Sequence, residues 1–268
     1  MAERTKIEWA EASWNPVTGC TPISEGCCHC YARRIAERFW GKRSFYDVRF
    51  HEDRLDIPFR WKKPMMVFVG SMGDLFHQSF SIRGSEMREI FRTMASCAHI
   101  FMLLTKRPKR MARAISNLYG NEMAEAVPNI WLGVTAENQA CADERIPILL
   151  QIPAAVHFVS CEPLLEPIDF NSLSDGEEPH LNLNALTGLR ENPFGAIVTR
   201  GFGPKLDWVI VGGETGPGAR HMNPDWARRI RDQCREAEVP FFMKQMSRKQ
   251  PIPDDLMVRE HPHRCEEG

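Results

Sequence analysis

The sequence predicts an α/β fold in which parallel strands are covered by outer helices, arranged as a partial (βα)6-type TIM barrel. Three observations carry this expectation. The apolar runs are nearly continuous rather than alternating, as in strands buried on both faces of a parallel sheet. Helical patterns separate them in succession, giving the strand–helix–strand order of such sheets. The later strands start roughly 26 to 34 residues apart, the length of one βα unit, except across one longer gap.

The elements follow in order. A short strand near 14–18 leads into a cysteine loop and a helix over 28–40. Strands then fall at 66–70 (MVFVG), 100–104 (IFMLL), 129–134 (NIWLGV), 155–160 (AVHFVS), 207–212 (DWVIVG) and 240–243 (PFFM). Helices are expected over 85–98, 108–118, 137–150 and 224–237, the last with Asn223 as N-cap and Pro224 in the first helical position, where its missing N–H costs nothing. The stretch of about 164–206 is rich in Gly, Asn, Ser and Pro and reads as an insertion after strand five. About 246–268 forms a short C-terminal tail, and 1–268 is read as a single domain.

With 43% hydrophobic residues and a formal charge of -1 over 268 residues, the composition is that of a soluble globular protein. Glu3, Arg4, Lys6 and Glu8 break any early apolar run, and no stretch approaches the roughly 18 apolar residues of a spanning helix, so a cytoplasmic protein without membrane contact is expected. Nine cysteines in a reducing compartment point to metal binding or thiol chemistry rather than disulfides. The near-neutral charge gives no general attraction to nucleic acid, leaving only local patches.

Polar residues follow each strand: Ser71-Met72-Gly73-Asp74, Thr105-Lys106-Arg107, Thr135-Ala136-Glu137-Asn138, Cys161-Glu162-Pro163, Gly213-Glu214-Thr215-Gly216 and Lys244-Gln245. In a βα barrel such ends converge on one face, which carries the active site. A charge there has a functional reading because barrel cores are apolar. Glu162, Glu214 and Lys244 are therefore catalytic candidates, with Arg220 and His221 beside Glu214; a mutual salt bridge of Glu162 with Lys244 is the other reading. Gly212-Gly213-Glu214-Thr215-Gly216 has neither the G-x-G-x-x-G order nor a P-loop lysine, so phosphate binding there is a weak signal. Cys161 is either a hydrogen-atom donor or a packing residue. Cys97, Cys141 and Cys234 lie within helical patterns and read as packing, and Cys265 falls in the tail.

"VTGCTPISEGCCHCYARR", residues 17–34, places Cys20, Cys27, Cys28 and Cys30 within eleven positions. Only Cys27 and Cys30 form a C-x2-C pair, whereas a structural zinc site usually draws on two such pairs. Three thiolates at C-x6-C-x2-C suit three irons of a [4Fe–4S] cluster, leaving the fourth iron open. Zinc and incidental thiols stay as alternatives, and Cys28 reads as a bystander because adjacent residues rarely point at one metal.

The run "WNPVTGC…GCCHCYA", with "SMGDLFH", "LTKRP", "GVTAEN", "SCEPLLEPIDF", "DWVIVGGETGPGARHM" and "PFFMKQ", resembles the radical S-adenosylmethionine superfamily, specifically a phage- and bacteria-encoded branch. The resemblance covers most of 7–260 and departs from the usual C-x3-C-x2-C spacing in its first interval. It implies an enzyme in which Cys20, Cys27 and Cys30 hold a [4Fe–4S] cluster that cleaves S-adenosyl-L-methionine to a 5′-deoxyadenosyl radical. His29 takes the position of the usual adenine-side aromatic, a role Tyr31 could share. Ser71, Met72, Gly73 and Asp74 fall where the superfamily holds the methionine amino group, with Asp74 as a turn residue in the other reading. Thr135, Glu137 and Asn138 are candidates for the ribose and carboxylate, or for a helix-start arrangement. A reductant such as flavodoxin or ferredoxin is implied as partner. Basic runs at Lys106, Arg107, Lys109, Arg110 and Arg113, and at Arg33, Arg34 and Arg38, suggest a nucleotide or nucleic-acid substrate, against a solvated helix face. The alternative class is a non-catalytic zinc-stabilised binding protein on a βα scaffold.

Overall fold

The computed structural model describes residues 5, 7–120, 127–174, 181–192, 196–198 and 203–262. The chain is a mixed α/β protein that divides into two compact units, one of Met1–Val134 with Gln151–Val156 and one of Thr135–Leu150 with His157–Gly268.

In the first unit β1 (Ala12–Trp14), β4 (Met66–Val69), β5 (Ile100–Thr105) and β6 (Ile130–Thr135, whose last residue opens the second unit) hydrogen-bond in that order, all parallel. Val67 stands opposite Ala12 on one side and Phe101 on the other, and Leu103 opposite Leu132. Every residue of β4 and β6 is buried, as the continuous apolar runs require of strands covered on both faces. Between these strands run α2 (Ser85–Ala95) and α3 (Pro108–Tyr119), which bury Met87, Ile90, Phe91 and Met94, and Met111, Ala114 and Ile115. These side chains recur at helical spacing, and each full burial contributes about 1.5–3 kcal/mol.

The helix expected over 28–40 starts later. A 3-10 turn at Glu25–Cys27 precedes α1 (Tyr31–Phe39), because Cys30 has a ψ of 120° that no helical residue adopts. The thiol-bearing backbone is therefore a loop up to its last cysteine. A short antiparallel ribbon of β2 (Val17–Thr18) and β3 (Arg49–Phe50) flanks it.

In the second unit β7 (His157–Cys161), β11 (Trp208–Gly212) and β12 (Phe241–Gln245) are parallel, in that order. Here α4 (Gln139–Leu150) buries Ile146 and Leu149, while α5 (Pro224–Glu236) buries Ala227, Ile230 and Cys234. Asn223 caps α5 as expected, its side chain accepting from the Asp225 N–H at 2.9 Å. The insertion carries its own antiparallel sheet of β8 (Leu173–Ser174), β9 (Asn182–Leu183) and β10 (Arg190–Glu191). The tail is packed over its described part: Met243 N–H donates to the Val258 carbonyl at 2.8 Å, the Trp208 indole to the Glu260 carbonyl at 2.9 Å, and His261 lies 5.0 Å from the Trp208 ring. Cys265 lies outside the described residues. Among the described residues no helix is long and apolar enough to cross a membrane.

Candidate functional site

The thiol loop is built on a contact between two glycines. Gly19 and Gly73 form a parallel bridge, with Gly19 N–H donating to the Met72 carbonyl at 2.9 Å. Gly19 has φ +99°, and a Cβ there would lie 2.7 Å from the Asp47 carbonyl; one on Gly73 would lie 3.0 Å from Gly19 backbone. Only glycines let these two chains approach so closely. The turn after β4 thus sits against the cysteine loop. Asn15 fixes that turn further, its side-chain oxygen accepting from Met72 N–H at 2.7 Å and its amide donating to the Ser71 hydroxyl at 3.0 Å. The Tyr31 hydroxyl donates to the Ser71 carbonyl at 2.7 Å, tying the start of α1 to the same turn.

Arg107 is the hinge of the arrangement. Its guanidinium donates to Asp74 at 2.6 Å, to the Thr21 carbonyl at 2.9 Å and to Cys20 Sγ at 3.5 Å. Asp74 also accepts from the Thr105 hydroxyl at 2.9 Å and from Phe76 N–H at 2.9 Å, the turn role that was the alternative reading for it. Lys106 donates to Ser24 Oγ at 3.2 Å, which is 3.7 Å from Cys27 Sγ. Cys20 and Cys30 pack with Met72 and Trp40 on the small core of Ala32, Ala36 and Phe45.

Electrostatics separate the thiols. Burial, and then the Asp74 carboxylate, push Cys20 up to about 11 against the pull of Arg107. Burial also pushes Cys27 up, but the Lys106 ammonium and hydrogen bonds around Ile23 and Ser24 outweigh it, leaving this thiol below its ordinary value. Cys28 is exposed, whereas Cys20, Cys27 and Cys30 are half-buried. Among the described residues no three His, Cys, Asp or Glu side chains meet as ligands of one metal ion.

Three of the five cations in the basic run at 106–113 turn inward. Lys106 and Arg107 serve the thiol loop, and Arg110 donates to the carbonyls of Phe76, His77 and Phe80, leaving only Lys109 and Arg113 exposed. Half-buried cations at a helix start are taken up by the acceptors they face.

The second unit holds the other candidates, whose acids are each paired with a base. Lys244 Nζ and Glu162 stand 2.6 Å apart, the salt bridge that was the alternative for this pair. Gly212 makes room for Glu162, since a Cβ there would lie 2.7 Å from its carboxylate. Glu137 pairs with Arg145 at 2.7 Å, and the same guanidinium donates to the Thr135 carbonyl at 2.7 Å. Asn138 accepts from Cys141 N–H at 2.9 Å at the start of α4, a helix-start role. Glu214 accepts from Arg220 N–H at 2.9 Å and from its side chain; His221 is exposed. Cys161 is fully buried, and burial first, then Cys234, push its thiol well above the ordinary range.

Asn15, Thr21 and Arg145 are organising residues that sequence reasoning missed, whereas Thr105 stood among the polar strand ends. Asn15 also sits at a strand end, the one available signal.

These features define a mixed α/β protein whose first unit carries a loop of four cysteines flanked by two cations. The chain belongs to the family described as protein of unknown function (DUF5131), whose model matches residues 4–264. No curated protein and no solved structure matches it.

Proposed function

We propose that this chain is a radical S-adenosylmethionine enzyme holding a [4Fe–4S] cluster through Cys20, Cys27 and Cys30 on a partial (βα)6-type barrel. The observation that carries the reading is the thiol loop seated, glycine on glycine, against the Ser71–Asp74 turn. The donor set fits such a cluster: three half-buried thiols on one loop, with Lys106 and Arg107 to offset thiolate charge. Each thiolate of a cluster binds its own iron, so the three need not meet at a point as ligands of a single zinc ion must.

When bound and reduced, the cluster would supply the electron that breaks a carbon–sulfur bond of S-adenosylmethionine. The chain's own residues hold the thiols and the turn in place. Asn15 and Tyr31 orient the Ser71–Met72 backbone toward the role of binding the methionine end. Asp74, saturated by Thr105, Phe76 and Arg107, acts as a positioning residue for the loop. His29 and Tyr31 take the adenine side, and Thr135, Glu137, Asn138, Glu162, Glu214, Lys244 and Cys161 remain candidates toward ribose and substrate. A cytoplasmic setting and a flavodoxin- or ferredoxin-type reductant belong to the same proposal, with a nucleotide or nucleic-acid base as substrate class.

The test is anaerobic purification with iron and sulfide quantification, then reduction in the presence of S-adenosylmethionine. Iron with matching sulfide and release of 5′-deoxyadenosine support the reading. Zinc without sulfide, and no cofactor cleavage, overturns it in favour of a zinc-stabilised binding protein.

A further inference from the structure

We propose that α1 and the loop after it form a platform for single-stranded nucleic acid, deepening the substrate class of the reading above and resting on it for its catalytic consequence. As a binding surface it rests on α1 itself. This helix buries Ala32 and Ala36, while Tyr31, Ile35 and Phe39 form an exposed stripe at i, i+4 and i+8, with Phe39 69% exposed. Tyr46 adds a further exposed ring at 49%. Helices seldom leave such a stripe uncovered unless something lands on it.

Charge says what lands. Residues 31–49 carry six basic side chains against two acidic ones, a net +4 in a chain whose formal charge is -1. Both acids are already engaged: Glu37 lies 3.7 Å from Arg33, and Asp47 lies 2.5 Å from Arg49 and 3.8 Å from Arg43. Arg38 and Lys42 stand exposed, Arg38 with its guanidinium 5.1 Å from the Phe39 ring. A hollow of about 280 Å³ lined by Arg33, Lys42, Ser44 and Tyr46 lies beside them, near the low end of ligand-sized cavities. Exposed rings interleaved with cations are the pattern that stacks unpaired bases and tracks phosphates; duplex bases present no free face to stack. Arg33 also donates to the Cys28 carbonyl at 2.7 Å, so the platform is continuous with the thiol loop.

The test uses the full chain and fluorescein-labelled single strands of about 20 uridines or 20 thymidines, followed by anisotropy across about 50 to 200 mM salt, with a duplex of equal length alongside. Single-strand binding that weakens with salt is expected. Phe39→Ala or Tyr46→Ala should weaken it on the order of 10-fold, and Arg38→Glu with Lys42→Glu should lower the salt slope by about 1 per lost phosphate contact. All four side chains are on the surface, so the unfolding midpoint should stay put. Tighter binding of the uridine strand assigns RNA, the reverse DNA. Equal duplex binding, no binding, or binding indifferent to these substitutions overturns the platform. So does a Phe39-dependent dimer without strand binding, which assigns the stripe to a second copy. Iron, sulfide and cofactor cleavage measured on the same preparations keep the two readings apart. Cleavage without strand binding overturns the platform alone, whereas strand binding without a cluster overturns the enzyme reading alone.

Discussion

The two units treat charge in opposite ways. In the second unit each candidate acid is matched one to one with a base: Glu137 with Arg145, Glu162 with Lys244, Glu214 with Arg220. In the first, one carboxylate and two cations are spent on holding a loop of thiols that are themselves only weakly bonded, by contacts of 3.5 and 3.7 Å to sulfur. A closed pair stabilises the structure around it. A scaffolded set of soft donors held by long contacts fits the cluster chemistry proposed for the first unit.

The sharpest way to break the contrast is to remove one acid from each unit. Glu137→Ala leaves Arg145, 3% exposed, without its carboxylate and should cost about 3–5 kcal/mol in denaturant unfolding. Asp74→Ala strands Arg107, 9% exposed, and should cost a similar amount, at the lower end because Arg107 is less deeply buried than Arg145. Only Asp74→Ala should also lower bound iron and sulfide. An equal loss of iron in both variants would mean that the thiol loop has no special dependence on its own scaffold.

Gly19→Ala comes next. Its positive φ and the Asp47 carbonyl at 2.7 Å from the new Cβ should cost about 1–3 kcal/mol and reduce iron loading, read by melting and metal analysis. Lys244→Met removes a pair whose side chains are only 17% and 15% exposed, leaves Glu162 without its cation, and should cost about 1–3 kcal/mol. A much larger fall in cofactor cleavage than in stability would reassign Lys244 from rim to chemistry. The smallest effect is on reactivity: in metal-free protein, Cys27 should be alkylated by iodoacetamide at lower pH than Cys20, whose thiol ionises only near about 11. Asp74→Asn should bring the Cys20 profile down, since it removes a charge that raises that thiol; peptide mass spectrometry as a function of pH reads both.

Much of this molecule was legible in advance. The strands at 66–69, 100–105 and 208–212 stand within a residue or two of their apolar runs, and Asn223 with Pro224 marked the start of α5. The start of α1 was misjudged because "CHCYARR" reads as helical by periodicity, whereas Cys30 turns the backbone out of the helix. The inward turn of most of the basic run at 106–113 has a different origin. Residue type showed the charge, but the carbonyls that Arg107 and Arg110 satisfy lie 30 to 86 positions away, beyond any local pattern.

By itself, then, the sequence determined the order of strands and helices, the C-x6-C-x2-C spacing and the polar residues at the strand ends. These depend on neighbours within a few positions, where periodicity and turn chemistry act. The tertiary structure alone decided which strand-end charges are spent on each other and which cations turn inward to the thiol loop. It also decided that α1 keeps its rings outside. Ion pairing and burial depend on distance in space, and only the packed chain brings Asn15 to Met72, or Arg107 to Cys20.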